Sequence, residues 1–351
     1  MSRPLTITEL AQALGLSTCT VSRALNNTPN SGLSAATRQR VLDKARKLGY
    51  RPNLSAQALV SGKTRVLGAI SINANNPFMS GFIYGLEETT RQAGYHVLLC
   101  NTRGDAERER HEVAMLRQRG VEGLVIQHLG HAEHLQELAA AAYPFVLLEP
   151  CPKAPELDYV TFDDVLGGRL ATRALVQAGR RRIAHLAGPD QLLCAQDRLA
   201  GYRQELRAAG LPAATSRVTR AERYEDPACG AQAMEQLLAQ SPRPDAVFCF
   251  NDQLAWGAYE AIVKHGLRVP EDIALIGYDD ESFSAKTAVP LASIHLDTER
   301  LGREAATILL RKIETPDAAA KPQAVKIPPT LVWRASLGPA PKPSRAKGIS
   351  R

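Results

Sequence analysis

Between Thr6 and Asn26, short polar side chains and one guanidinium recur at a spacing that would collect them on one helical surface. Thr18, Cys19, Ser22 and Arg23 fall on or beside one face of a helix over Thr18 to Leu25, with Val21 and Leu25 four residues apart on the other. Hydroxyls and a guanidinium on an exposed face do hydrogen-bond chemistry with polar edges. They contain no nucleophile and base pair. No Walker loop, G-x-S-x-G elbow or H-E-x-x-H pair occurs anywhere in the chain. The six cysteines, Cys19, Cys100, Cys151, Cys194, Cys229 and Cys249, form no C-x-x-C pair and have no histidine at zinc-ligand spacing. No catalytic residue, metal or cofactor is therefore expected.

The elements that would position the polar face are short. Thr6 and Glu9 fit a capping box ahead of Leu10, Ala11 and Leu14, so a helix should start near Ile7 and end at Gly15. Ser17 then caps the Thr18 to Leu25 helix, and the pair reads as a helix-turn-helix whose second member is free to enter a major groove. A third helix should run from Ser34 to Gly49, closing a small core with Val41, Leu42, Ala45 and Leu48 and presenting Arg38, Arg40, Lys44 and Lys47 on its other face.

Charge follows the same division. The 351 residues carry a net charge of +7. From Met1 to Arg65 ten basic residues face only Glu9 and Asp43, the tail from Gly338 adds four basic residues and no acid, and the remainder is net −5. A basic end on an acidic body fits a polyanion-binding head, although charge alone would equally describe a solvated basic surface.

From Val66 onward, short apolar runs alternate with amphipathic stretches. Strands are expected at Val66 to Ile72, His96 to Cys100, Gly123 to Gln127, Phe145 to Glu149, Ile183 to Ala187, Ala246 to Phe250 and Ile273 to Tyr278. Helical patterns separate them at Pro77 to Gln92, Ala106 to Arg119, Gly167 to Gln177, Leu199 to Ala209, Gln253 to His265 and Thr298 to Ile313. Such alternation implies parallel sheets with helices on both faces, in two similar lobes divided near Tyr159. With 44% apolar residues the chain can bury cores of this size. The first residues lack the apolar run of a secretory signal and no membrane span is present, so a cytoplasmic location is expected.

Thr6-Ile-Thr-Glu-Leu-Ala, Leu16-Ser-Thr-Cys-Thr-Val-Ser-Arg-Ala-Leu-Asn26 and Gly49-Tyr-Arg-Pro-Asn53 strongly resemble the lac-repressor-type (LacI/GalR) family of bacterial transcription regulators. Asn76-Pro-Phe, Phe162-Asp-Asp, Gly167-Gly-Arg-Leu-Ala, Arg198-Leu-Ala-Gly-Tyr-Arg, Phe250-Asn-Asp and Gly277-Tyr-Asp-Asp extend the likeness to about Leu337 and, through the family, to periplasmic sugar-binding proteins. The resemblance implies an all-α helix-turn-helix headpiece at 1–52, a hinge helix or linker at 53–65, and a two-lobed α/β, periplasmic-binding-protein-like core at 66–337. A disordered basic tail at 338–351 would follow.

Carried over by position, Thr18, Cys19 and Arg23 match base-reading residues, while Thr20 and Ser22 fall where side chains meet phosphates. Asn26 ends the recognition helix. Arg23 could pair bidentately with guanine, whereas Cys19 either reads weakly or packs on the groove wall. With the caps Thr6 and Ser17 and the hinge residues Asn53, Ala56 and Leu59, these complete the expected DNA-contact set. The family's hinge helix forms when two subunits dock it in the operator's minor groove, and Leu59 matches the leucine wedged between central base pairs. A linker with Leu59 packed on the core is the alternative. The loop Asn27 to Leu33 looks about two residues longer than the family's usual connection.

In the core, the resemblance places an effector at the carboxyl ends of the strands, in the crevice between the lobes. Arg198 and Asp279 lead the candidates, followed by Asn251 or Asp252, Asp163, Asn73, Phe78 and Cys194, with Tyr224 an aromatic platform. Asp163 and Asp252 could instead cap helices, Phe78 could be core, and Arg198 could pair with a neighbouring acid. Leu192 and Cys194 are apolar where some nucleobase-responsive relatives are polar, and Glu149-Pro-Cys replaces a more common aspartate and arginine. Purines are thereby disfavoured, and a sugar or sugar acid is the expected effector, in a setting of carbohydrate metabolism. The implied assembly is a homodimer on a pseudo-palindromic DNA operator, because the tail lacks the leucine heptads that would tie dimers together. A sugar-processing enzyme or a secreted sugar receptor are the rival readings.

Overall fold

The apolar spacing of the first fifty residues closes into a three-helix bundle. The computed structural model describes Arg3 and residues 5–26, 32–51, 54–128, 133–211, 217–221, 223–315 and 322–340. Two compact units result, Met1–Thr64 and Arg65–Arg351. In the first, α1 (Ile7–Leu14) starts at the capping box of Thr6 and Glu9 and stops at Gly15, whose φ of 68° a side chain would resist. Ser17 and Ser34 cap α2 (Thr18–Leu25) and α3 (Ala35–Lys47), each accepting a backbone N–H three residues on. Leu10, Leu14, Val21, Ala24, Val41 and Ala45 form the core. Ala24 takes the buried place expected of Leu25, which is only half covered, and Leu48 is exposed. Arg40 stays exposed on the basic face, as expected, and from there its Nη2 donates to the Leu14 carbonyl at 2.5 Å, satisfying an orphan acceptor at the end of α1. The segment α4 (Leu54–Ser61) is helical in the structure.

In the second unit the chain builds one lobe, crosses, builds another, and returns. The first pass is β1 (Val66–Ser71), α5 (Phe78–Gln92), β2 (His96–Asn101), α6 (Ala106–Gln118), β3 (Leu124–Ile126), α7 (Glu133–Ala140), β4 (Phe145–Leu147) and β5 (Tyr159–Phe162). The second is α8 (Asp164–Gln177), β6 (Ile183–Ala187), α9 (Leu193–Ala208), β7 (Arg217–Arg220), α10 (Pro227–Leu238), β8 (Ala246–Cys249), α11 (Asp252–Lys264), β9 (Ala274–Asp279) and β10 (Ala292–His295). The chain then returns to the first lobe with α12 (Thr298–Glu314) and β11 (Ala324–Ile327), and ends in the second with β12 (Thr330–Val332).

The sheet orders are β11-β5-β4-β3-β1-β2 and β12-β10-β9-β8-β6-β7, parallel throughout except for β12 against β10. The expected single division near Tyr159 is therefore corrected. Tyr159 lies in a strand of the first sheet, and the chain passes between lobes three times, after Phe162, His295 and Ile327. Strand β5 escaped the periodicity reading because four residues, Tyr-Val-Thr-Phe, carry too little pattern to stand out. Among the described residues no helix is long and apolar enough to cross a membrane.

Candidate functional site

Two surfaces carry the residues singled out above. On α2, Thr18, Cys19 and Arg23 are exposed and Thr20 and Ser22 half-buried, so the helix presents them outward while Val21 and Ala24 hold it to the bundle. The caps are committed locally. Thr6 receives the Glu9 amide on its Oγ1 at 3.3 Å and donates its own amide to Glu9 at 2.7 Å, and Ser17 Oγ accepts from Thr20 at 3.1 Å. The Thr6 amide and hydroxyl, with Arg3, donate to the Glu9 carboxylate and hold it down to about 2. Asn26 closes α2 and its Nδ2 donates to Ser22 at 3.3 Å. On α4, Ala56 is exposed and Leu59 is 88% exposed. Asn53 lies outside the described residues, as do the 27–31 part of the loop and the tail beyond residue 340.

The second surface is a partly open cavity of about 280 Å³ at the carboxyl ends of β1, β3, β4, β6, β8 and β9, with walls from both lobes. Phe78, Cys194, Arg198, Tyr224, Asn251 and Asp279 all line it. Arg198 organises its floor. Its Nε donates to Asp164 Oδ1 at 2.8 Å, its Nη1 to the Phe250 carbonyl at 2.7 Å, and its Nη2 stands 3.7 Å from Asp279. The guanidinium also lies over the Tyr278 and Phe250 rings, 3.6 and 4.5 Å from their centroids. Burial works against its charge, but Asp164, Tyr278 and Asp279 outweigh it and keep the group firmly protonated.

Asp164 reaches Arg198 because α8 and α9 touch backbone to backbone. A Cβ on Gly168 would sit 2.2 Å from the Arg198 carbonyl, and one on Gly201 would sit 2.1 Å from that of Val165. Asp279 is aimed by backbone that side chains rarely adopt, with φ of 96° at Asp279 and 55° at Asp280. Asp280 holds that bend through Arg334 at 2.6 Å and His295 at 3.1 Å, while Ser293 Oγ accepts its amide. Burial pushes Asp279 up to about 6 and Glu149 up to about 7, with Asp164 raising both and Arg198 opposing.

Three expected contacts lie elsewhere. Asp163 caps α8, accepting the Leu166 amide at 3.0 Å, and it is Asp164, one residue on, that faces the cavity. Asp252 is fully buried behind the wall, where Ser284, Ser293 and the Glu281 amide donate to it at 2.6 to 2.8 Å. Asn73 closes a turn by accepting the Asn75 amide at 3.1 Å and does not line the cavity. Asn251 does both jobs: it caps α11 and donates its Nδ2 to the Tyr224 carbonyl at 3.0 Å, holding the loop that carries that ring. Gln127, His128, Asp164 and Gln196 were missed. Only Asp164 had a signal, its place in Phe162-Asp-Asp. Among the described residues no group of three or more histidine, cysteine or acidic side chains could hold a metal ion.

Comparison with known proteins matches both units. Residues 64–335 fit the family model of periplasmic binding proteins and the sugar-binding domain of the LacI family, and residues 6–53 fit that of bacterial regulatory proteins of the lacI family. The transcriptional repressor PurR of Haemophilus influenzae (strain PittEE) is 34% identical over 337 residues, covering 95% of this chain and 98% of that protein. Among solved structures, the lac repressor dimer bound to operator and the anti-inducer ONPF is 30% identical with a TM-score of 0.84, covering 95% of this chain and 99% of that one. The regulator CelR in complex with cellobiose is also 30% identical, with a TM-score of 0.70 over 95% of this chain and all of that one. An exposed recognition helix on one unit and a polar cavity in the other are what such regulators require. The chain belongs to the LacI family, and it is a DNA-binding transcription regulator with an effector-binding core and not an enzyme.

Proposed function

We propose that this regulator represses transcription as a homodimer on a pseudo-palindromic operator, and that a small polyhydroxylated molecule, a sugar, sets its operator affinity from the cavity between the lobes. The observation that carries the effector reading is the Arg198 cluster. A guanidinium, two carboxylates and the Asn251 amide converge beside the Phe78 and Phe250 rings, the mixture of polar fork and apolar face that a sugar ring needs. Three carboxylates among the cavity walls favour a sugar over a sugar acid. Leu192 and Cys194 line the cavity without a strong donor for a base edge, which disfavours purines.

On the operator, Thr18 and Arg23 read base edges, Thr20 and Ser22 meet phosphates, Cys19 packs on the groove wall, and Leu59 enters the minor groove. The domain limits follow as headpiece 1–52, hinge 53–65, core 66–337 and tail 338–351. Self-association is supported by the core's own surface. Edge strand β2 exposes Leu98 and Leu99 at 43% and 42% and neighbouring α5 exposes Tyr84 at 60%. In the second lobe Trp256 stacks on Tyr259 and meets Phe283 edge-on beside a shallow hollow.

Operator fragments selected from random DNA with the pure protein, then titrated by fluorescence anisotropy with and without a panel of sugars, test the reading. A sugar that changes affinity severalfold, and loses that effect when Arg198 is replaced, is the expected outcome. Operator affinity indifferent to every sugar that stabilises the core would overturn it.

A further inference from the structure

The cavity's charges do not balance. Inside it stand the carboxylates of Glu149, Asp164 and Asp279 against one guanidinium, Arg198, already shared between Asp164 and Asp279. Lys153 also borders the cavity but is exposed, so solvent screens it. Glu149 is left over. Among the described residues no arginine, lysine or histidine forms an ion pair with its carboxylate, and the nearby Cys194 thiol, a weak donor, favours its charge only slightly. Two residues on, Cys151 is 1% exposed in the first lobe's core and brings no compensating charge.

The groups that face Glu149 deepen the excess. Asp164 from α8 and Asp197 from α9 repel its charge, Arg198 opposes them, and His128, beyond β3, meets its backbone carbonyl at 3.1 Å. A half-buried carboxylate without a cation is costly, and a ligand that supplies one recovers that cost; an anionic ligand adds to it. Phe78, Phe162, Tyr224 and Phe250 give the same cavity aromatic faces, which also attract cations.

We infer that the effector is a polyhydroxylated molecule bearing a protonated amine, an amino sugar in kind, whose hydroxyls engage Arg198, Asp279 and Asn251 and whose ammonium pairs with Glu149. The inference rests on the cavity being the effector site. Because binding an ammonium favours the ionised carboxylate, the complex forms with release of a proton near neutral pH.

Matched triplets differing only in charge test this: glucose, glucosamine and glucuronate, with the corresponding galactose and mannose sets, titrated by calorimetry into the full chain at pH 6.5 in two buffers of different ionisation heat. In at least one set the amine should bind about tenfold or more tighter than its neutral and acidic counterparts, with proton release. Glu149→Gln should abolish both the preference and the release, and Glu149→Asp, which keeps the charge, should retain the preference. A neutral or acidic member binding as tightly as the amine, an amine preference that survives in Glu149→Gln, or no binding by any member overturns the inference. Neutral sugars that bind and shift operator affinity would overturn the amine alone and leave the cavity's role standing, whereas the failure of every sugar to alter operator affinity strikes the cavity reading itself.

Discussion

The recognition helix and the effector cavity are built by opposite means. On α2 the five outward side chains fall within one run of six residues, are exposed or half-buried, and owe their placement to helix periodicity and the Ser17 cap. The cavity draws Phe78, Glu149, Asp164, Arg198, Asn251 and Asp279 from segments spread over two hundred residues, most of them withdrawn from solvent. A local site can be changed one residue at a time with the fold intact. A convergent one cannot, because its side chains also satisfy one another's buried charge within the second lobe.

The sharpest way to break this contrast is Arg198→Ala. It leaves Asp164 and Asp279 buried without their cation, so the core should lose about 3 to 5 kcal/mol, read by thermal melting, and effector response should vanish. Unchanged melting would show that the cluster is not structural. Arg23→Ala should weaken specific operator binding by about 1 to 3 kcal/mol and relax preference at one base pair, with core melting and effector affinity untouched. A uniform loss across all sequences would reassign Arg23 to a phosphate.

Leu59→Ala should cut specific affinity by about tenfold and nonspecific affinity by less, since only the specific complex gains from an unstacked step. Equal losses would sink the wedge. Asp163→Ala sharpens the comparison inside the core: a lost helix cap costs about 1 kcal/mol in stability, while effector affinity stays within about twofold. Its neighbour Asp164 should not tolerate Asn without losing effector.

The smallest effect separates the units by pH. Burial raises Glu149 and Glu281 to about 7 and Asp279 to about 6, so the folded core holds more protons than the unfolded chain from the ordinary carboxylate range up to those values. Their contribution is present at low pH and is lost as pH rises through about 7, and the ligand-free core should melt a few degrees lower at pH 8 than at pH 6. Glu9 in the headpiece is shifted the other way, so its contribution is lost only as pH falls toward about 2. A headpiece fragment melted over the same window, pH 6 to 8, should show no such slope from Glu9.

Adjacent letters mark where reading along the chain stops working. Phe162-Asp-Asp and Phe250-Asn-Asp look alike in the sequence, and in each the first polar residue caps the following helix. In the first motif it is the second residue, Asp164, that meets the cavity; in the second it is the cap itself, Asn251, while Asp252 turns back to Ser284 and Ser293. The choice depends on how each helix is rolled against its sheet, which packing partners far along the chain decide. Asn73 was misplaced for the same reason, since its turn satisfies it locally before any ligand can.

What the sequence by itself determined is everything set by neighbours: three capped helices, the face carrying Arg23, alternating strands and helices, and the motifs that mark the family. Those depend on backbone hydrogen bonding and on spacings of three and four residues, which are written in order along the chain. Only the tertiary structure decided that the lobes are joined by three crossings, that Arg40 serves the bundle, and that Arg198 is shared between Asp164 and Asp279. It alone leaves Glu149 over, because charge balance in the cavity is a sum over residues that meet only when two sheets, glycine-close helices and a strained Asp279 turn are already in place.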